Sequence, residues 1–112
     1  SGPSAFDPYF IQTEFEKIQS QMVLDKVVAK CNLTEEWKSL NGGESLDSIA
    51  ARKRLKKTID IRQFRNTSII ELRAYDRERA MAQKIAQSLA EEYQAHRTDA
   101  QKKRVEIIDD AD

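Results

Sequence analysis

Residues 65–93, RNTSIIELRAYDRERAMAQKIAQSLAEEY, decide the fold of this chain. From Thr67 to Tyr75 the pattern alternates: Ile70, Leu72 and Ala74 share one face, while Glu71 and Arg73 point away, as in a half-buried strand. Just upstream, Thr58-Ile59-Asp60-Ile61-Arg62-Gln63 alternates in the same way. A turn at Arg65-Asn66 separates the two runs, so they are expected to pair as an antiparallel hairpin. Asp76 is then expected to cap a long helix. Ala82, Ile85, Ala86, Leu89, Ala90 and Tyr93 recur at helical spacing and form one stripe. The small alanines let that stripe approach a sheet closely.

Toward the carboxyl end, Arg97 to Lys103 is polar, and Arg104 to Asp109 reads as a last strand with Val105 and Ile107 inward. A helix between the second and third strands permits a right-handed crossover. Toward the amino end, Asp7-Pro8 reads as a helix start, with Asp7 as cap and Pro8 in the first position. Phe10, Ile11, Phe15 and Ile18 follow near helical spacing. Ser20 is a second cap, for a helix whose broad apolar face is Met22, Val23, Leu24, Val27, Val28 and Cys31, and Asn32 ends it. Thr34 is expected to cap the next turn, with Trp37 as a core anchor; Asn41-Gly42-Gly43 is a breaker. Ser45 is expected to cap another helix with Leu46, Ile49 and Ala50 on its apolar face.

The expected class is α+β: a small, mainly antiparallel sheet in the order helices then β-β-α-β, with helices packed on one face. Three strands are few, so a further strand is expected from the amino-terminal side or from a neighbour. Ile59, Ile61, Ile70, Leu72, Ile85, Leu89, Val105 and Ile107 are the expected core. Residues 4–112 read as one domain, and Ser1-Gly2-Pro3 as a tag remnant. Nineteen basic and 19 acidic residues cancel, which argues against a dedicated nucleic-acid binder. No stretch approaches the roughly 20 apolar residues of a membrane span, and no secretory signal pattern is present. Cys31 is the single cysteine, which excludes an intrachain disulfide and a cysteine-rich zinc site, and it reads as a plain buried thiol.

No catalytic, cofactor or metal set emerges. His96, the only histidine, stands near the expected end of the long helix without triad-like partners. Glu91 with Glu92, Glu14 with Glu16, and Glu35 with Glu36 are candidate acid pairs, but adjacent residues diverge by about 100° on a helix, and a solvated face is the expected reading of all three. The one candidate contact is basic: Arg52, Lys53, Arg54, Lys56 and Lys57, suited to an anionic surface, though a solvated helix end also explains them. No interleaved aromatics suggest base stacking. Gly42-Gly43 lacks the lysine and hydroxyl of a phosphate loop.

The segment RNTSIIELRAYDRERAMAQKIAQSLAEEYQAH (65–96) resembles the recurring segment of the polysaccharide chain-length determinant (Wzz-type, polysaccharide co-polymerase) family: an Asn-Thr turn, an I-I-E-L strand, an acidic turn, a helix with A-x-x-I-A-x-x-L-A and a closing Tyr. Upstream, FIQTEFEKIQSQMVLDKVVAKCNL (10–33) followed by Trp37 is similar to the family's Ser-x-x-Val-Leu helix, and VEIIDDAD (105–112) to its closing strand. The resemblance covers most of residues 9–111. It implies a membrane-proximal periplasmic domain, a soluble fragment of an inner-membrane protein with a membrane helix on each side. It implies no enzymatic activity and no cofactor. The expected partners are other copies in a ring, the polysaccharide polymerase and the nascent chain, whose length in O-antigen, capsule or exopolysaccharide such proteins set. Some relatives carry or work with a tyrosine kinase; nothing in this chain supplies its ATP site. The strand that precedes the family's first helix is missing, as is the long helical hairpin after the Tyr-ended helix, so the chain is either a short member or one with the hairpin deleted. A generic interaction module and an anion-binding domain are the alternatives.

Overall fold

The computed structural model describes the backbone of residues 8–67 and 69–111 and the side chains of 9–67 and 69–97. The elements are helices α1 (Pro8–Ile18), α2 (Gln21–Lys30) and α3 (Leu33–Glu36), a 3-10 turn (Lys38–Asn41), helix α4 (Ser48–Thr58), strands β1 (Ile59–Gln63) and β2 (Ile70–Ala74), and helix α5 (Arg79–Ala111). The class is α+β, helix-rich, with one antiparallel two-stranded sheet. Asp7 lies outside the described residues.

Helix α2 is the centre of the core. Ser20 caps it, its hydroxyl accepting from the Val23 amide at 3.3 Å. Val23, Leu24, Val27 and Val28 are buried, and their i, i+1, i+4, i+5 spacing gives a face wide enough to meet two neighbours. It packs against α4 through Ala51 and Leu55 and against α5 through Ile85 and Leu89. The helix ends at Lys30, with Cys31 as its C-cap. Asn32 follows with φ 54°, a left-handed conformation that asparagine tolerates better than most residues. Leu33 and Trp37 then close one side of the core.

The start of α4 differs from expectation. Asp47, not Ser45, caps it, its carboxylate accepting from the Ala50 amide at 2.7 Å. A charged acceptor at the positive helix end outcompetes a hydroxyl, and the Ser45 hydroxyl instead donates to the Glu35 carboxylate. Helix α4 therefore starts at Ser48 and buries Ala51 and Leu55; Ile49 is exposed, since two residues of helix turn roughly 200°. Thr34 likewise sits inside α3, whose cap position is Asn32. Asp47→Ala is expected to cost about 0.5–2 kcal/mol, measured by chemical denaturation, whereas Ser45→Ala should leave the helix boundary unchanged.

The hairpin is the one expected. Ile59 faces Ala74, Ile61 faces Leu72 and Gln63 faces Ile70 across the ladder. This places Ile59, Ile61, Ile70, Leu72 and Ala74 on one face, half-buried against the core. Asp60, Arg62, Glu71 and Arg73 line the other face, where Arg62 pairs with Asp60 at 2.7 Å and Arg73 with Glu71 at 2.9 Å. Asn66, at φ 57°, turns the chain.

The final strand is a correction. Residues 104–109 lie within α5, which runs unbroken from Arg79 to Ala111, so the polar link expected at 97–103 is helical too. No glycine or proline interrupts that stretch. The alternation of Val105 and Ile107 spans a single strand period, and Val105 and Ile108 sit equally well at i and i+3. The side chains of Val105 and Ile107, expected in the core, lie outside those described. Helix α5 starts later than expected: Asp76 stands three residues before it, accepting from the Glu78 amide at 3.0 Å. Ile85, Leu89 and Tyr93 are its buried stripe, as expected. His96 is consequently mid-helix rather than near an end. Among the described residues, no helix is long and apolar enough to cross a membrane.

Candidate functional site

The five basic candidates all lie on α4, but helical geometry separates them. Arg52 is taken up by an ion pair: its Nη1 lies 3.1 Å from Asp25 Oδ2 on α2 and 3.2 Å from Oδ1. Arg54 turns the other way and lies over the Trp37 ring, 5.1 Å from its centroid. The Trp37 indole N–H donates to Asp76 Oδ1 at 3.0 Å, so one aromatic joins α4 to the approach to α5. The Arg54 Nε is buried and has no hydrogen-bond partner among the described residues. These two arginines hold helices together. Lys53, Lys56 and Lys57 remain exposed in the last two turns, where cations suit the negative helix end. Lys56 borders a groove with Gln12, Phe15 and Glu16 of α1 and Gln19 just after it. Three ammonium groups on flexible stems can attract an anion as point charges, without the fixed fork that selects one geometry.

A second polar cluster overturns one expectation: Glu14, expected with Glu16 on a solvated face, is buried. Glu14 of α1 is only 2 % exposed. The Tyr93 hydroxyl of α5 donates to its Oε1 at 2.5 Å, Lys17 Nζ lies 3.1 Å from Oε2, and Arg97 Nε lies 4.0 Å from Oε1. The signal was present: Glu14 falls three residues after Ile11 and four before Ile18, on the buried stripe of α1. Beside the cluster, Ile18, Ile70, Leu72, Ala90, Gln94 and Arg97 line a small cleft where α1, β2 and α5 meet. Burial alone would raise the Glu14 carboxyl, but the Tyr93 hydrogen bond and the Lys17 and Arg97 charges outweigh it and hold it below the ordinary 4.5. Burial first, then the Glu14 carboxylate, push Tyr93 up to about 12.

Both shifts act on stability. A depressed carboxyl stabilises the fold above the ordinary value of 4.5 and loses that contribution as pH falls below it. A raised tyrosine stabilises it below pH 10 and loses that contribution as pH rises toward about 12. Stability from urea unfolding should therefore fall at both ends. Glu14→Gln should flatten the acid limb and cost about 1–3 kcal/mol at neutral pH; Tyr93→Phe should flatten the alkaline limb. An unchanged acid limb in Glu14→Gln would contradict this assignment.

The remaining candidates do not converge. Cys31 is fully buried, its single S–H within reach of two acceptors, the Ser88 hydroxyl at 3.3 Å and the Lys84 carbonyl at 3.8 Å, which is the plain buried thiol expected. Glu91 pairs with Lys30 at 2.5 Å and Glu92 with the same ammonium at 3.7 Å, joining α5 to α2. Among the described residues, no group of three His, Cys, Asp or Glu side chains is placed to hold a metal ion. Comparison with protein-family models, with curated proteins and with solved structures returns no match.

Proposed function

We propose that this chain is the membrane-proximal periplasmic domain of a polysaccharide chain-length determinant, a non-enzymatic scaffold at the bacterial inner membrane. It would assemble in rings through the full-length protein and govern how many repeats a polymerase adds to O-antigen, capsule or exopolysaccharide. The observation that carries the reading is residues 65–93: an Asn-Thr turn, an I-I-E-L strand, an acidic turn and an A-x-x-I-A-x-x-L-A helix in unbroken order. Supporting it, that order runs through one structural unit, in which β2 leads into α5 and α5 packs against β2. Helix α5 also carries exposed Gln83 and Lys84, polar groups suited to the rim of a contact between protomers. In the intact protein the flanking membrane helices would raise the effective concentration of these weak contacts.

The test is sedimentation of the full-length protein in detergent. A defined ring-sized oligomer is expected, while a strict monomer would overturn the ring. A second reading, contact with an acidic glycan or lipid, is favoured by the exposure of Lys53, Lys56 and Lys57. It requires binding that weakens with salt and is lost when these three lysines become serine.

A further inference from the structure

We propose that the tip of the β1–β2 hairpin is a membrane-interface anchor that seats on anionic phospholipid. The inference rests on the proposed function only for the nearness of a membrane.

The hairpin register extends past the strands, because the Phe64 amide donates to the Ile69 carbonyl at 2.8 Å. Phe64 and Ile69 are therefore directly cross-strand, and the alternation places them with Arg62 and Glu71 on the face turned away from the core. They are 58 % and 59 % exposed, although the outward positions behind them are charged. Core packing explains the apolar residues of the inner face and does not explain this pair.

Two further features select a lipid surface rather than a generic apolar contact. First, several polar groups at the tip are engaged within it. The Thr67 amide donates to the Phe64 carbonyl at 3.1 Å, the Thr67 hydroxyl donates to the same carbonyl at 2.7 Å, and that hydroxyl accepts from the Ile69 amide at 3.2 Å. Gln63 Nε2 donates to the Thr67 carbonyl at 3.0 Å. Engaging these groups lowers the cost of bringing them into a poorly hydrated interface. Second, with Arg62 paired to Asp60, Arg65 is the tip's uncompensated cation among the described residues. Arg65 stands exposed in the turn with no ion pair among the described residues, available to a lipid phosphate. An aromatic ring, an aliphatic side chain and a guanidinium at one tip match the chemistry of the headgroup boundary.

The 112-residue chain would be mixed with vesicles of pure phosphatidylglycerol and of pure phosphatidylcholine, and its partitioning read by co-sedimentation. Partitioning onto phosphatidylglycerol is expected, reduced about tenfold by Phe64→Ser with Ile69→Ser and several-fold by Arg65→Glu. In Phe64→Trp, brominated acyl chains should quench the new indole while Trp37 stays unquenched; this readout holds even where the double variant folds poorly. The proposal is overturned if partitioning is unchanged by the double variant, or if the indole introduced by Phe64→Trp is not quenched. It is equally overturned if binding is lost instead on replacing Lys53, Lys56 and Lys57, or if the tip drives concentration-dependent self-association without lipid. None of these outcomes bears on oligomerisation of the full-length protein, so failure here and failure of the scaffold reading are separable.

Discussion

Replacing Trp37 with alanine is expected to lower unfolding free energy by about 3–5 kcal/mol. The ring is 3 % exposed and fills the corner where the end of α3 meets the core. Its loss leaves a cavity that backbone relaxation closes only in part. Two polar consequences add to the cavity. The Arg54 guanidinium loses the ring face beneath it, and Asp76 Oδ1 loses the indole donor. Trp37→Phe separates these effects. It keeps an aromatic face for Arg54 and most of the volume while removing the N–H, so about 1–2 kcal/mol is expected. For a domain of this size, whose whole stability lies near 5–15 kcal/mol, the alanine variant should be visibly close to unfolding at physiological temperature. Equal costs for the two variants in chemical denaturation would show that the hydrogen bond to Asp76, not the packing, dominates.

The second large effect concerns where the core lies. Leu24→Ala in α2 is expected to cost about 2–5 kcal/mol, because the side chain is only 1 % exposed and is enclosed by helices. Leu72→Ala on the sheet should cost about 1–2 kcal/mol, because its side chain is half-buried and water can reach the site. The order of the two is the informative quantity. A sheet-centred core would reverse it, and urea midpoints with unchanged slopes would decide between them.

The hairpin and the α5 stripe were legible because their periods are unambiguous. Ile59, Ile61, Ile70 and Leu72 alternate, and Ile85, Leu89 and Tyr93 recur every four residues. Each reading needed only its own segment. The weighting of the core was less legible. Strand residues expected at its heart are half-buried, because a two-stranded sheet has too little area to enclose them, while the fully buried side chains cluster on α2 and its partners. Helix boundaries depended on competition between nearby acceptors. Ser45, Asp47 and Asp76 are all chemically able to cap, and only the tertiary placement of Glu35 and Trp37 shows which of them does. The last strand was misread for a different reason. An alternation as short as Val105 to Ile107 carries too little information to compete with a helix already propagating toward it.

The basic run was legible as composition but not as a site. Its five members are close in sequence, yet Arg52 reaches Asp25, Arg54 covers Trp37, and three lysines are left to solvent. The Glu14–Tyr93 contact shows the converse. Seventy-nine residues separate its partners, so only the stripe position of Glu14 hinted at burial, and nothing in the sequence named the tyrosine.

Under the proposed function, this chain is part of a scaffold that governs polysaccharide length. The most direct measurement is the size distribution of surface polysaccharide, resolved by gel electrophoresis, in a bacterium carrying the full-length gene and in its deletion strain. The proposed function predicts that polymer is still made without the gene but loses its preferred chain length, which the restored gene returns. A distribution unchanged by the deletion would contradict it.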